Sequence, residues 1–354
     1  MHIEFISKSN NKEWDDLVKS LPNYSFLNSS TRLDFQENVG RKDLNYIIQI
    51  NGVDAGIING YIGSSKIFGK FLELKHSPML KKSYNSEEAW KKIFEFLSSL
   101  AKENNCFMVR SMPLYRDNPA LVNIYKKLDM IEAPIHNVDA LISQYFDLSK
   151  SEEDLRHDMS SSTRNNVNKL LKNEDISVKV FKDNSAFEIF KDFHDQTVAL
   201  KDYTDTPIKT LLTELQAQVD NDMCYMVVGY YKDKPISVWQ CTVFGKYMHI
   251  YQAGSDTTFR QNNVRITYLL FWECLKLAKE LGLEVLDLFG GMLPENYMGN
   301  RHPWKGVNGF KTSLGGSKIT YLHPRDLPVK KAKYWLYYIY STLRVLMKGY
   351  TTKW

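Results

Sequence analysis

The tetrad Leu100-Ala101-Lys102-Glu103 returns later in the chain as Leu277-Ala278-Lys279-Glu280, each time at the end of an amphipathic stretch. A repeat on this scale constrains the fold more than any single motif, because each copy must be a structural unit with neighbours arranged alike. In the first copy, Tyr46-Ile47-Ile48-Gln49-Ile50 and Ala55-Gly56-Ile57-Ile58 flank Asn51-Gly52, a hairpin turn signal. The run Phe71-Leu72-Glu73-Leu74 reads as a further strand. A helix follows, with a predicted capping box at Asn85 and Glu88 and an apolar stripe of Trp90, Ile93, Phe94, Leu97, Leu100 and Ala101. The strand Cys106-Phe107-Met108-Val109 closes the copy. The second copy replays the order: strands at 225–228 and 236–239 around Lys232-Asp233-Lys234, a strand at 247–251, a helix carrying Ile266, Leu270, Cys274, Leu277, Ala278 and Leu281, and a closing strand at 284–288. The prediction is two tandem copies of one mixed α/β unit, and 354 residues suffice for two cores.

Residues 149–173 separate the copies and read as a polar helical stretch opening at Ser151-Glu152-Glu153-Asp154. The boundary is expected near residue 148, giving domain 1 at 1–147, completed by the C-terminal segment 320–354, and domain 2 at 148–319. Arg164 and Lys169 in this stretch suit a phosphorylated ligand, since a fixed guanidinium grips phosphate at two points, although a solvated helix face explains them too.

Several functional classes recede on simple grounds. The four cysteines (Cys106, Cys224, Cys241, Cys274) form no C-x-x-C pair and read as buried free thiols. The histidines show no H-x-H or H-x-x-x-H spacing, so no metal site is expected. No apolar stretch approaches 18 residues and no cationic-then-apolar segment opens the chain, which predicts a cytoplasmic protein.

Chemistry concentrates near the end of the second copy. Asp287-Leu288-Phe289-Gly290-Gly291 ends an apolar strand in a carboxylate and a glycine pair, and Gly306-Val307-Asn308-Gly309-Phe310-Lys311 and Leu314-Gly315-Gly316 follow. One acid, one cation and bare backbone thus meet at one strand end, with Lys311 in a glycine loop. Val285, Asp287 and Phe289 alternate onto one face, so Asp287 needs a hydrogen-bonding or cationic partner.

The formal net charge is +5, and residues 329–354 alone hold Lys330, Lys331, Lys333, Arg344, Lys348 and Lys353 with no acid, so the rest of the chain is close to neutral. Trp335, Leu336, Ile339, Leu343, Leu346 and Met347 recur there at helical spacing, with Lys333, Tyr337, Arg344 and Lys348 on another face. Such a helix suits the surface of an anionic membrane, or closes the fold with its lysines in water.

Taken in order, these motifs resemble the Fem-type aminoacyltransferases that build interpeptide bridges in peptidoglycan. Tyr251-Gln252-Ala253-Gly254-Ser255 is similar to that family's Tyr-x-x-Ala/Gly-Ser strand end, and 272–282 to its Trp-to-Gly helix. Asp287 to Gly291 resembles its Asp-x-x-Gly-Gly strand, and 306–316 its glycine, Phe-Lys and Gly-Gly signature. Thr163-Arg164-Asn165-Asn166-Val167 is similar to the arginine helix opening its second domain. The first half departs more. Asn28-Ser29-Ser30-Thr31-Arg32 stands for Gln-Ser-x-x-Trp, Gln36 for a lysine, Gly40-Arg41 for Gly-Trp and His76-Ser77-Pro78 for Arg-Gly-Pro. The cationic recognition loop is reduced to Lys201-Asp202-Tyr203.

The resemblance implies a fold of two tandem GNAT-like acyltransferase domains, here followed by a C-terminal amphipathic helix. It also implies an enzyme with no cofactor, which moves an amino acid from aminoacyl-tRNA to an amine of the peptidoglycan stem peptide, on lipid II or UDP-MurNAc-pentapeptide. The cationic amphipathic tail suits a lipid-linked acceptor, with the protein expected to be cytoplasmic and peripheral to the inner face of the cell membrane. Lys311 and Asp287 become the catalytic candidates. Gly309, Phe310 and Lys311 become the tRNA contacts, with Phe310 stacking on the terminal adenine or packing in the core. Arg164, Lys201, Tyr203, Arg41 and Tyr251 become the acceptor and phosphate contacts. Two other classes stay open: an acyl-CoA N-acyltransferase and a non-catalytic module binding membrane or cell-wall precursor. The first lacks its glycines at Arg260-Gln261-Asn262-Asn263-Val264-Arg265, where a pyrophosphate loop belongs.

Overall fold

The computed structural model describes residues 1–134, 140–200, 207–256, 259, 264–295, 302 and 304–348, residues 43 and 197–200 by their backbone alone. Two compact units emerge. Unit one is Met1–Ile142 with Leu293–Lys305 and Thr320–Trp354; unit two is Ser143–Met292 with Gly306–Ile319.

Unit one is built on a mixed sheet of β1 (Ile3–Ser7), β2 (Asp43–Ile50), β3 (Val53–Ser65), β4 (Gly69–Lys75), β5 (Met79–Leu80), β6 (Met108–Met112), β7 (Ile131–Glu132) and β15 (Arg325–Pro328), numbered along the whole chain. The order is β1-β2-β3-β4-β6-β15-β7, with β5 paired to β3. Strands β1 to β4 run antiparallel, β4 and β6 parallel, and β15 antiparallel to β6. The β2–β3 hairpin turns at Asn51-Gly52, as its turn signal predicts. The helix Glu87–Glu103 buries its predicted stripe of Trp90, Ile93, Phe94, Leu97, Leu100 and Ala101. Its cap is a correction: Ser86, not Asn85, accepts from the Ala89 N–H, because the Asn85 side-chain oxygen already accepts from the Trp90 indole at 2.6 Å.

Unit two repeats the plan with β8 (Ile142–Asp147), β9 (Ile176–Phe181), β10 (Cys224–Tyr231), β11 (Lys234–Phe244), β12 (Tyr247–Ser255), β13 (Val285–Asp287) and β14 (Ser317–Thr320), in the order β14-β8-β13-β12-β11-β10-β9. Again a run of antiparallel strands leads to one parallel pair, β12 with β13, and then to an antiparallel neighbour. Helices cover both faces. Ile266, Leu270 and Cys274 of the helix Ile266–Glu280 pack into one core with Val227, Trp239 and Met248. Phe190 and Phe193 of Phe187–Leu200 and Leu211 and Leu215 of Ile208–Asp220 pack into another with Met226, Val228 and Val238. All four cysteines are buried and free.

The single helical stretch expected at 149–173 is two helices, Glu152–Asp158 and Ser161–Leu171. Met159 and Ser160 between them are extended, and the Ser160 hydroxyl caps the second helix by accepting from the Thr163 N–H. At the other end of unit two, Gly316 has φ +76°, and a Cβ there would stand 2.5 Å from the Tyr145 carbonyl oxygen. Only glycine allows the chain to come this close to β8 as it enters β14.

Candidate active site

The parallel ladder between β12 and β13 is short. Tyr247 pairs with Val285, Met248 with Leu286 and His249 with Asp287, and there it stops, although β12 continues to Ser255. The sheet therefore opens at His249 and Asp287, leaving one edge of β12 without its parallel partner.

Just past this point Phe289, Gly290 and Gly291 all have positive φ (49°, 82° and 68°), a tight left-handed turn. Asp287 holds the turn closed. Its Oδ1 accepts from the Phe289 N–H at 2.7 Å and from the Ser143 hydroxyl, while the Ser143 oxygen accepts from the Gly290 N–H at 3.1 Å. Its Oδ2 lies 3.1 Å from Nδ1 of His249. Asp287 and His249 are both buried, and the His249 ring meets Phe289 edge to face at 5.1 Å. The carboxylate thus has both the partners and the capping geometry that its place on an apolar strand demands.

The turn receives Lys311. Its ammonium donates to the carbonyl oxygens of Leu288 and Gly290, both at 2.6 Å. An ammonium has three hydrogens, so one stays available to a ligand at the strand opening. Burial pushes the Lys311 pKa down to about 8, against the pull of the nearby Asp287 carboxylate. The segment carrying Lys311 is a helix, Lys305–Ser313, and not the glycine loop expected from the sequence. A Cβ on Gly306 or Gly309 would meet nothing within 4 Å, so these two glycines are not there for close approach.

Gly291 is different. A Cβ at this position would sit 3.2 Å from the Lys311 amine and 3.3 Å from Val307, on backbone already in the left-handed region. Gly291→Ala is expected to cost about 1–2 kcal/mol in urea unfolding through backbone strain, and to press on the amine in its seat. An unchanged unfolding midpoint would show that the seat tolerates a methyl group.

The other expected site residues divide. Tyr251 joins the cluster, its ring 5.7 Å from Phe289. Phe310 is half-buried beside Lys311 and meets Tyr268 at 5.2 Å and Trp239 at 6.4 Å, so it packs against the core of unit two. Gly309 is exposed on the same helix. Arg164 caps the end of the preceding helix, donating to the carbonyls of His157 (3.0 Å) and Met159. Lys169 lines an open polar groove with Ser161, Asn165 and Arg265. Arg41 belongs to unit one, where its guanidinium lies over the Tyr61 ring at 4.8 Å and donates to the Gln36 side chain at 2.7 Å. Gln36, Arg32, Tyr61 and Lys75 there line a small cavity. Lys201 and Tyr203 fall outside the described residues. Ser143 and His249 escaped sequence reasoning. The signal was present in His249, a polar residue within the strand 247–251, but its partner Asp287 is known only from the β12–β13 register.

Residues 157–305 match the family model described as Acetyltransferase (GNAT) domain. No curated protein sequence matches the chain. Among solved structures, FemX superposes with a TM-score of 0.79 at 13% identity, covering 96% of this chain and 100% of that one. The chain has the tandem GNAT-like fold. A tandem GNAT protein from the clavulanic acid biosynthesis pathway aligns at TM-score 0.57 and 10% identity, over 93% of this chain and 99% of its own. L-PGS from Bacillus licheniformis aligns at 0.56 and 11%, over 99% and 100%. The tandem GNAT-like arrangement fits the parallel strand pair that stands at the same place in each sheet: β4 with β6, and β12 with β13.

Proposed function

We propose that this protein is an aminoacyltransferase that moves an amino acid from aminoacyl-tRNA to an amine of the peptidoglycan stem peptide, on lipid II or UDP-MurNAc-pentapeptide. One observation carries the reading: an ammonium, Lys311, held by two backbone carbonyls at the opening between β12 and β13, with a hydrogen to spare. The likeness of fold to FemX supports it.

The donor ester is already activated, so the enzyme's task is alignment and charge stabilisation. The acceptor amine attacks the ester carbonyl; the C–N bond forms, the C–O bond to the terminal ribose breaks, and the amine's surplus proton passes to the departing ribose oxygen. Lys311 donates its free hydrogen to the oxygen that becomes negative in between. Asp287, with both oxygens engaged, is a positioning residue that shapes the turn on which Lys311 rests. A lipid-linked acceptor places the protein at the inner leaflet of the membrane, peripherally. Among the described residues no helix is long and apolar enough to cross it.

The match to the Acetyltransferase (GNAT) model favours one rival, transfer from acyl-CoA. A single assay separates the two. Purified protein is given a pool of labelled aminoacyl-tRNAs or labelled acetyl-CoA, with lipid II, UDP-MurNAc-pentapeptide or, in view of a likeness of fold to the C-terminal domain of a putative lysylphosphatidylglycerol synthetase, phosphatidylglycerol as acceptor. Label passing from tRNA to the muropeptide is the expected result. Label passing only from CoA overturns the tRNA reading, and transfer only to phosphatidylglycerol overturns the peptidoglycan one.

A further inference from the structure

The C-terminal helix Lys331–Met347 turns its most apolar face outward. Tyr337, Tyr338 and Val345, three, four and eleven residues after Tyr334, form its inner stripe with that residue. Tyr334 is fully buried and packs with Phe68, Phe107 and Met108. The opposite face carries Leu336, Ile339, Leu343, Leu346 and Met347, which are 64%, 54%, 55%, 53% and 87% exposed. This is one continuous band along the helix, since these positions also recur at three and four residues. Five large apolar side chains in a row facing water form a patch that marks an interaction surface.

The charges around the band identify its occupant. Lys330, Lys331, Lys333, Arg344 and Lys348 lie on or beside the helix, and no acid follows Asp326 in the sequence. At about 100° per residue, Lys333 and Arg344 fall along one border of the band, next to Tyr340. Tyr340 and Trp335 are themselves exposed, 42% and 48%. Exposed aromatic rings and lysines at the rim of an apolar band match the boundary between acyl chains and headgroups. A protein groove would have to supply acids to this border, whereas an anionic bilayer supplies negative charge everywhere along it. The helix of 17 residues is too short and too charged to span a bilayer, and suits lying in its surface.

We propose that this face of the C-terminal helix is a docking surface for an anionic phospholipid bilayer, with the band Leu336, Ile339, Leu343, Leu346 and Met347 entering the headgroup–acyl boundary and the cations engaging lipid phosphates. The inner tyrosine stripe fixes the helix to the sheet of unit one, so the band is presented without unfolding. The surface goes beyond the transferase reading and stands or falls apart from it.

The test is sedimentation of the full chain with vesicles of phosphatidylglycerol and phosphatidylcholine, against phosphatidylcholine alone. Binding to the anionic vesicles is expected to be at least about tenfold tighter and to weaken with salt, each cation near the surface contributing roughly fivefold. Ile339→Glu with Leu343→Glu, both exposed, should abolish sedimentation while thermal unfolding stays as in the wild type. Lys333→Glu with Arg344→Glu should remove the preference for anionic lipid. Equal binding to both vesicle types, or none to either, overturns the proposal. So does a wild-type dimer in solution that Ile339→Glu with Leu343→Glu turns into a monomer, because the band is then covered by a second copy.

Discussion

Lys311→Met is expected to lower the rate of the proposed amino-acid transfer by about 10²–10³-fold, the usual consequence of removing one donor to a developing oxyanion, the role proposed for Lys311. The loss should fall on kcat, since the missing hydrogen bond matters most when the carbonyl oxygen is charged. The direction of the pH dependence then distinguishes two ways in which Lys311 can act. As an ammonium it keeps one hydrogen for the substrate; as a neutral amine it donates both hydrogens to Leu288 and Gly290 and offers a lone pair instead. With its pKa pushed down to about 8, transfer that needs the ammonium declines as pH rises through 8. Lys311→Arg, which stays charged, should lose that decline even if its overall rate is lower. A rate that climbs with pH through 8 would instead make Lys311 a proton acceptor, and undiminished transfer by Lys311→Met would remove it from the mechanism.

The same shift has a consequence for stability. Below pH 8 the lysine is charged in the folded and unfolded chains alike, and the cost of burying it is fully present. Above pH 8 the folded protein gives up the proton while the unfolded chain keeps it up to the ordinary lysine value of about 10.4, so stability contributed by this group rises with pH across that window. Wild-type stability minus that of Lys311→Met should therefore increase from pH 8 to pH 10 in urea unfolding.

Asp326→Ala is the second substitution with a large expected effect, on stability. Asp326 and Arg110 face each other across the β15–β6 ladder, both buried, joined by two parallel bonds of 2.8 Å. Arg110 also donates to the Tyr337 hydroxyl at 2.8 Å, and the Tyr334 hydroxyl donates to Asp326 at 3.2 Å. The pair therefore ties a C-terminal strand and helix to a strand more than two hundred residues earlier. Removing the carboxylate leaves a buried guanidinium uncompensated, at a cost of about 3–5 kcal/mol. Amide exchange in the helix Lys331–Met347 should quicken along with the lower unfolding midpoint. Replacing both partners, as Arg110→Met with Asp326→Leu, should recover most of the loss, because no charge is then stranded. A single substitution costing under about 1 kcal/mol would mean that water reaches the guanidinium.

Much of this fold was legible because its signals are local. The hairpin at Asn51-Gly52, the stripe of Glu87–Glu103 and the replayed strands of the second copy depend on turn chemistry and on periodicities of 2 and 3.6, which any window of the chain displays. Errors arose where two local signals competed. Asn85 and Ser86 are both good caps, and only the reach of the Trp90 indole decides between them. Gly306 and Gly309 read as loop formers, yet they lie in a helix whose Phe310 packs against the unit-two core, and that packing outweighs their weak helix propensity.

The amino-acid sequence by itself determined that two alike mixed α/β copies follow one another, that an acid and a lysine belong to the end of the second, and that the tail is cationic and amphipathic. Tertiary structure alone decided which groups meet. His249 reaches Asp287 through strand register, Ser143 reaches it from a third strand, and Lys311 finds two carbonyls from a helix. It also decided that the C-terminal helix packs by its tyrosines and shows its leucines to water, with the Tyr334 and Tyr337 hydroxyls bonded to the buried Asp326 and Arg110. Such choices rest on contacts between residues far apart in the chain, whose energies no stretch of sequence contains.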